Sequence, residues 1–187
     1  FSLLDGGARV RDIMVKAKQM GQDFVAITDH GNLFGAVKAH KIAKEVGIKH
    51  IVGSELYLTP VGKQMADKDF KKGEKSANHL VVWAKNKVGY QNLSRLSSIA
   101  YEQGFFRVPR IDRDALKAHS EGLIITSSCI GGSIPQGGLN GNFYAAESDM
   151  ECFMKTFGQD FYIELQNHGF VEEDQAFIDA TQKAGNV

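Results

Sequence analysis

Cysteine is nearly missing from this chain, with two in 187 residues, and that excludes a disulfide framework as the source of its stability. The two, Cys129 and Cys152, form no C-x-x-C pair, so the usual closed structural zinc is excluded as well. Net charge is missing too. Lys plus Arg equals Asp plus Glu at 22 each, and no overall field would hold a polyanion by its backbone charge. Any contact with nucleic acid must be local. No apolar run approaches the roughly 20 residues of a membrane span, and no visible segment has the make-up of a secretory leader. With its cysteines reduced, the chain is expected in the cytoplasm without a membrane partner. It shows no internal repeat and no heptad run. The G-x-S-x-G elbow is absent, which disfavours Ser127 and Ser128 as nucleophiles.

What is present is an ordinary globular composition, 43% hydrophobic and 24% charged, enough for one sizeable core. A single domain over residues 1–187 is expected. Both ends read as cut, so the chain is expected to be a fragment of a longer one. Strand-like and helix-like segments alternate, the pattern of a parallel α/β sheet or barrel. Val10, Ile13, Met14, Ala17 and Met20 recur at helical spacing up to Gly21. Strands are predicted over 24–28, 50–58, 79–84, 123–126 and 161–165. Helices are predicted over 33–46, 87–103, 142–157 and 171–184, with a short one capped by Asp112 and reaching His119. Residues 60–78 form a polar, lysine-rich loop.

The segment Ile27-Thr28-Asp29-His30-Gly31-Asn32 ends an apolar strand on a carboxylate, an imidazole and a glycine. That places proton- or metal-handling groups at the rim where α/β proteins work. The plainer alternative makes Asp29 a helix cap and His30 a surface residue. Five metal-capable residues sit near predicted strand ends: Asp5, His30, Glu55, His79 and Cys129. The first four are separated by 25, 25 and 24 residues, and Cys129 lies 50 further on. A barrel that returns to one rim once per unit would gather them. His79 opens its strand instead of ending it, which is resolved if 50–58 and 79–84 form a long hairpin that brings Glu55 within reach of His79. Glu55 lies in an otherwise apolar strand, where a charge needs a partner. Locally, Asp5 also suits a turn and Cys129 a small buried hydrophobe. His40 and His50 read as packing or surface residues, and Cys152 as core. His168 in Glu164-Leu165-Gln166-Asn167-His168-Gly169 is a further rim candidate beside Asp29. Mixed imidazole, carboxylate and thiolate donors suit two or three divalent ions of the Zn²⁺ or Mn²⁺ type. Such clusters activate water for displacement at phosphorus, and phosphoester hydrolysis is the chemistry expected.

Taken together, Phe1-Ser2-Leu3-Leu4-Asp5-Gly6, Ala26-Ile27-Thr28-Asp29-His30-Gly31-Asn32-Leu33-Phe34-Gly35, Gly53-Ser54-Glu55-Leu56-Tyr57, Tyr90-Gln91-Asn92-Leu93, Arg110-Ile111-Asp112-Arg113 and Glu164-Leu165-Gln166-Asn167-His168-Gly169 resemble one family. It is the N-terminal polymerase and histidinol phosphatase (PHP) domain of the alpha subunit of bacterial DNA polymerase III. The resemblance implies a distorted seven-stranded β/α (TIM-like) barrel, here lacking its first and last strands. It implies that Asp5, His30, Glu55, His79 and Cys129 are metal ligands, with His30, Glu55 and His79 catalytic. A His-x-His pair before Phe1 and an Asp-x-His pair after Val187 would complete the family's site, so the chain by itself is expected to be inactive. The implied activity is metal-dependent 3′–5′ proofreading in a DNA-directed DNA polymerase, with the primer 3′ end and other replicase subunits as partners. The alternatives are a catalytically silent domain of the same polymerase and a stand-alone histidinol-phosphatase-like enzyme.

Overall fold

The computed structural model describes residues 6–167 and 178–179. Asp5, His168 and most of the helix expected over 171–184 lie outside the described residues. Helix α1 (Val10–Gln19) leads into strand β1 (Phe24–His30). This strand runs two residues beyond its expected end, so Asp29 and His30 belong to it. Helix α2 begins at Ala36, not Leu33 (Ala36–Val46), and strand β2 spans Lys49–Leu58. The delay has a local cause. Phe34 N–H donates to Asn32 Oδ1 at 2.9 Å and Gly35 N–H to Asp29 Oδ2 at 3.0 Å, so side chains hold this turn in place of helical bonds.

Strands β1 and β2 pair in parallel from Phe24↔Lys49 to His30↔Glu55. The expected hairpin is present: β3 (Asn78–Ala84) pairs antiparallel to β2, with Tyr57 opposite His79. Helix α3 (Lys87–Glu102) starts at Asn86, whose side chain accepts from Gly89 N–H. A hairpin and a helix were not expected. Strands β4 (Phe105–Phe106) and β5 (Val108–Ile111) make a hairpin turned by Arg107 alone, and β5 runs parallel to the end of β2. Asp112 caps α4 (Arg113–Ala118), as predicted, by accepting from Ala115 N–H. Strand β6 (Leu123–Thr126) lies antiparallel to β3. The second unexpected element is helix α5 (Ser133–Leu139), which precedes α6 (Phe143–Phe157). Strand β7 is only Phe161–Tyr162, shorter than the expected 161–165, and runs parallel to β6.

The result is a mixed α/β fold around one seven-stranded sheet. On one edge of β2 lie β1 and then β5, and on the other β3, β6 and β7 follow in order. Among the described residues, no pairing joins β7 to β1. Alternation decides what each face does. Leu56, Leu58, Leu80 and Val82 point to one face and are buried with Leu93 and Leu96 of α3. At roughly 1.5–3 kcal/mol per buried side chain, this layer anchors β2 and β3. A second cluster of Met14, Val25, Ala39, Ile42 and Ile48 joins α1 and α2 to β1. Glu55, Tyr57 and His79 are left on the opposite face. No helix of the described residues is long and apolar enough to cross a membrane.

Candidate metal centre

The pairing register brings four of the predicted residues together. His30 is the pairing partner of Glu55, while His79 sits opposite Tyr57, two residues along β2 and hence on the same face. His30 Nδ1 lies 2.8 Å from Glu55 Oε1, and His79 Nδ1 lies 3.0 Å from the same oxygen. Cys129, in the loop after β6, completes the row with Sγ 3.4 Å from His79 Nδ1. Ligand atoms of Glu55, His79 and Cys129 all lie within 4.8 Å of one another. Two donors at about 2.0–2.3 Å on a tetrahedral ion lie about 3.3–3.8 Å apart, and the 3.0 and 3.4 Å spacings around His79 are of that order, so a carboxylate, an imidazole and a thiol placed like this suit a divalent ion.

Backbone and neighbours hold the donors in place. Gly131 N–H donates to Cys129 Sγ at 3.3 Å, and Gly131 C=O accepts from His79 N–H at 2.9 Å. A Cβ on Gly131 would stand 2.9 Å from His79 Nδ1, so only glycine lets the loop approach this closely. The Tyr57 ring meets His79 edge-on, with centroids 5.5 Å apart. Glu55 keeps only 12% of its side chain exposed. Beneath it, the buried Ser54 Oγ lies 3.0 Å from Asp29 C=O and 2.9 Å from Asn32 C=O, tying the ends of β1 and β2 together.

The hydrogen bond to Cys129 raises the pKa of His79 above its ordinary value, with Glu55 adding to the rise against burial. Burial works to raise the Cys129 thiol, but the bonds from His79 and Gly131 N–H outweigh it and the net direction is down. Both shifts favour thiolate beside imidazolium; the thiolate ligates as it stands, whereas His79 ligates only once a metal displaces its proton.

Asp29 places one carboxylate oxygen on Gly35 N–H, just ahead of α2. Asp5 and His168 lie outside the described residues. Glu164 also lies near the end of β6. Thr126 Oγ1–H donates to its Oε2 at 2.6 Å and Gln166 Nε2–H to its Oε1 at 2.6 Å. Tyr57 and Gly131 were missed from sequence. Tyr57 was legible in principle, being two residues from Glu55 in a strand.

Comparison with known proteins places these observations in a lineage. The PHP domain model matches residues 1–168. Over 174 residues the chain is 49% identical to DNA polymerase III subunit alpha of Borreliella burgdorferi, covering 93% of this chain and 15% of that protein. The Thermus aquaticus subunit is 44% identical over 176 residues (92% and 14%) and that of Chlamydia trachomatis 41% over 181 residues (97% and 14%). The chain therefore spans about one seventh of the length of these relatives. A solved structure from Bifidobacterium adolescentis, assigned as a metal-dependent phosphoesterase, shares the fold with a TM-score of 0.55 at 12% identity, over 97% of this chain and 80% of that one.

Proposed function

The chain belongs to the PHP domain family, and from that premise we propose that it is a metal-dependent phosphoesterase domain of a replicative DNA polymerase, removing nucleotides from the 3′ end of mispaired DNA. The observation that carries this reading is the single acceptor, Glu55 Oε1, that both His30 and His79 approach while Cys129 closes on His79. A buried carboxylate so placed is a ligand set more than a stability device. Glu55, His79 and Cys129 would hold the first ion, with His30, and Asp5 by its place in the sequence, toward a second or third. Zinc or manganese suits these donors. A divalent ion supplies polarised water and charge neutralisation at phosphorus. The chain's own part is to fix donors: Tyr57 against the His79 ring, Gly131 N–H on the Cys129 sulfur. The parallel pairs β1–β2, β2–β5 and β6–β7 support the reading of a distorted β/α barrel as one PHP domain. In the proposed replicase its partners are the primer strand and the other subunits, in the cytoplasm.

Glu55→Ala in the full-length polypeptide tests this. With Mn²⁺ or Zn²⁺, digestion of a mispaired primer should fall about 100-fold or more, since losing a charged ligand plausibly costs several kcal/mol and each ~1.4 kcal/mol is tenfold. Nucleotide addition should persist. Equal digestion by wild type and variant rejects the enzymatic reading, and no digestion by either leaves the silent domain as the better description.

A further inference from the structure

Among the described residues only two non-glycine residues adopt left-handed backbone, Arg107 and Ser128, each at φ 65°. Both flank the cluster. Ser128 delivers Cys129. Arg107 is the whole turn between β4 and β5, with Phe106 paired to Val108 across it, where a glycine would cost nothing and a long side chain costs about 1–2 kcal/mol. A strained residue kept at such a place asks what its side chain does.

Arg107 lines a cleft of about 380 Å³ together with Tyr57, Glu74, Lys75, His79 and Gly131. His79 and Gly131 also belong to the cluster, so the cleft opens directly onto it. Neither cation in the cleft has a carboxylate partner among the described residues. Arg107 lies over the Phe106 ring at 5.0 Å, and Lys75 Nζ donates to the neutral Gln136 Oε1 at 2.7 Å. The acid, Glu74, turns its Oε2 to Lys71 N–H of its own loop at 2.8 Å. The two cations come from separate irregular segments that one buried residue joins. Arg110, with no exposed surface, donates to Gly104 C=O on the hairpin side, and to Met65 C=O at 2.8 Å and Asp67 C=O at 2.6 Å on the loop side. Its guanidinium lies 5.3 Å from the Phe70 ring and 5.2 Å from that of Phe106.

Resting on the metal-site reading above, we propose that Arg107 and Lys75 form a phosphate subsite that holds the phosphodiester next to the scissile one, so the cluster acts on a polynucleotide strand and not on an isolated phosphomonoester. A monoester has one phosphate, which the cluster itself takes, leaving two unpaired cations beside it. A strand supplies the second anion, and Arg suits it through its planar fork of donors.

The test uses the full-length polypeptide in EDTA, so that no hydrolysis contributes. Phenylglyoxal modification of each arginine is followed by peptide mass spectrometry with and without pentathymidylate. Arg107 should be protected fivefold or more, while the exposed Arg95 reacts at its usual rate. Unchanged modification of Arg107 overturns the subsite. Arg107→Gly, which suits the left-handed turn and should fold, is then assayed with Lys75→Ala in the presence of Mn²⁺. The ratio of kcat/KM on pentathymidylate to that on p-nitrophenyl phosphate should fall at least tenfold in the double variant, and an equal loss on both substrates overturns the proposal. Protection of Arg107 in a protein that hydrolyses neither substrate would keep the subsite and reject the hydrolytic reading. Hydrolysis without protection would do the reverse.

Discussion

A single carboxylate, Glu55, explains most of what is unusual at the level of side chains. It interrupts an apolar strand, and its cost is met by two imidazoles on one oxygen. His50 shows the contrasting case. Both its ring nitrogens are buried without a partner among the described residues, and its pKa is lowered by burial first and by the neighbouring His40 second. In the unfolded chain His50 takes up its proton near about 6.5, in the fold only at lower pH. Its contribution to stability is therefore complete above about 6.5 and lost as pH falls through the window beneath. Urea midpoints at pH 7.5 and 5.5 should show a larger acid loss for wild type than for His50→Phe, because the other titrations cancel in the comparison. Equal losses would show that His50 protonates as freely in the fold as outside it.

Among the elements, the β4–β5 hairpin and the loop over residues 59–77 depend on Arg110. Arg110→Met should strand several carbonyls at about 1–3 kcal/mol each, for a loss of roughly 3 kcal/mol or more. Hydrogen exchange should rise in residues 59–77 and the hairpin before it rises in α3, and a uniform rise would show that Arg110 holds the whole fold. The β2–β3 hairpin was legible in the sequence because a polar loop separates two apolar runs that both carry metal-capable residues. The β4–β5 hairpin was not, since its strand is two residues long and its turn is an arginine. Helix α5 was hidden by Pro135, Gly137 and Gly138, which argue locally against a helix. Packing explains them: a Cβ on Gly137 would lie 2.7 Å from Ala146 Cβ of α6, so the glycine that weakens α5 alone is what lets it dock. Cys129 read locally as a small buried residue, and only the left-handed Ser128 before it turns the sulfur to His79.

For the whole molecule, the donors come from β1, β2, β3 and the loop after β6, so an ion joining them ties the sheet together. At zinc 100-fold above its dissociation constant, binding to the folded form alone adds about 2.7 kcal/mol. The melting midpoint should rise by roughly 5–10 °C, at 2–4 °C per kcal/mol for chains of this size, and return with EDTA. No rise, or the same rise in a Glu55→Ala, His79→Ala double variant, would show that zinc does not bind through the cluster. The register of β2 carries a last implication. Sliding that strand by one residue sends Glu55 to the leucine face and Leu56 or Ser54 to the rim. A misregistered molecule thus has no cluster at all, instead of a defective one, and a chain that has not finished pairing its sheet offers an ion no partial site to hold it half-folded.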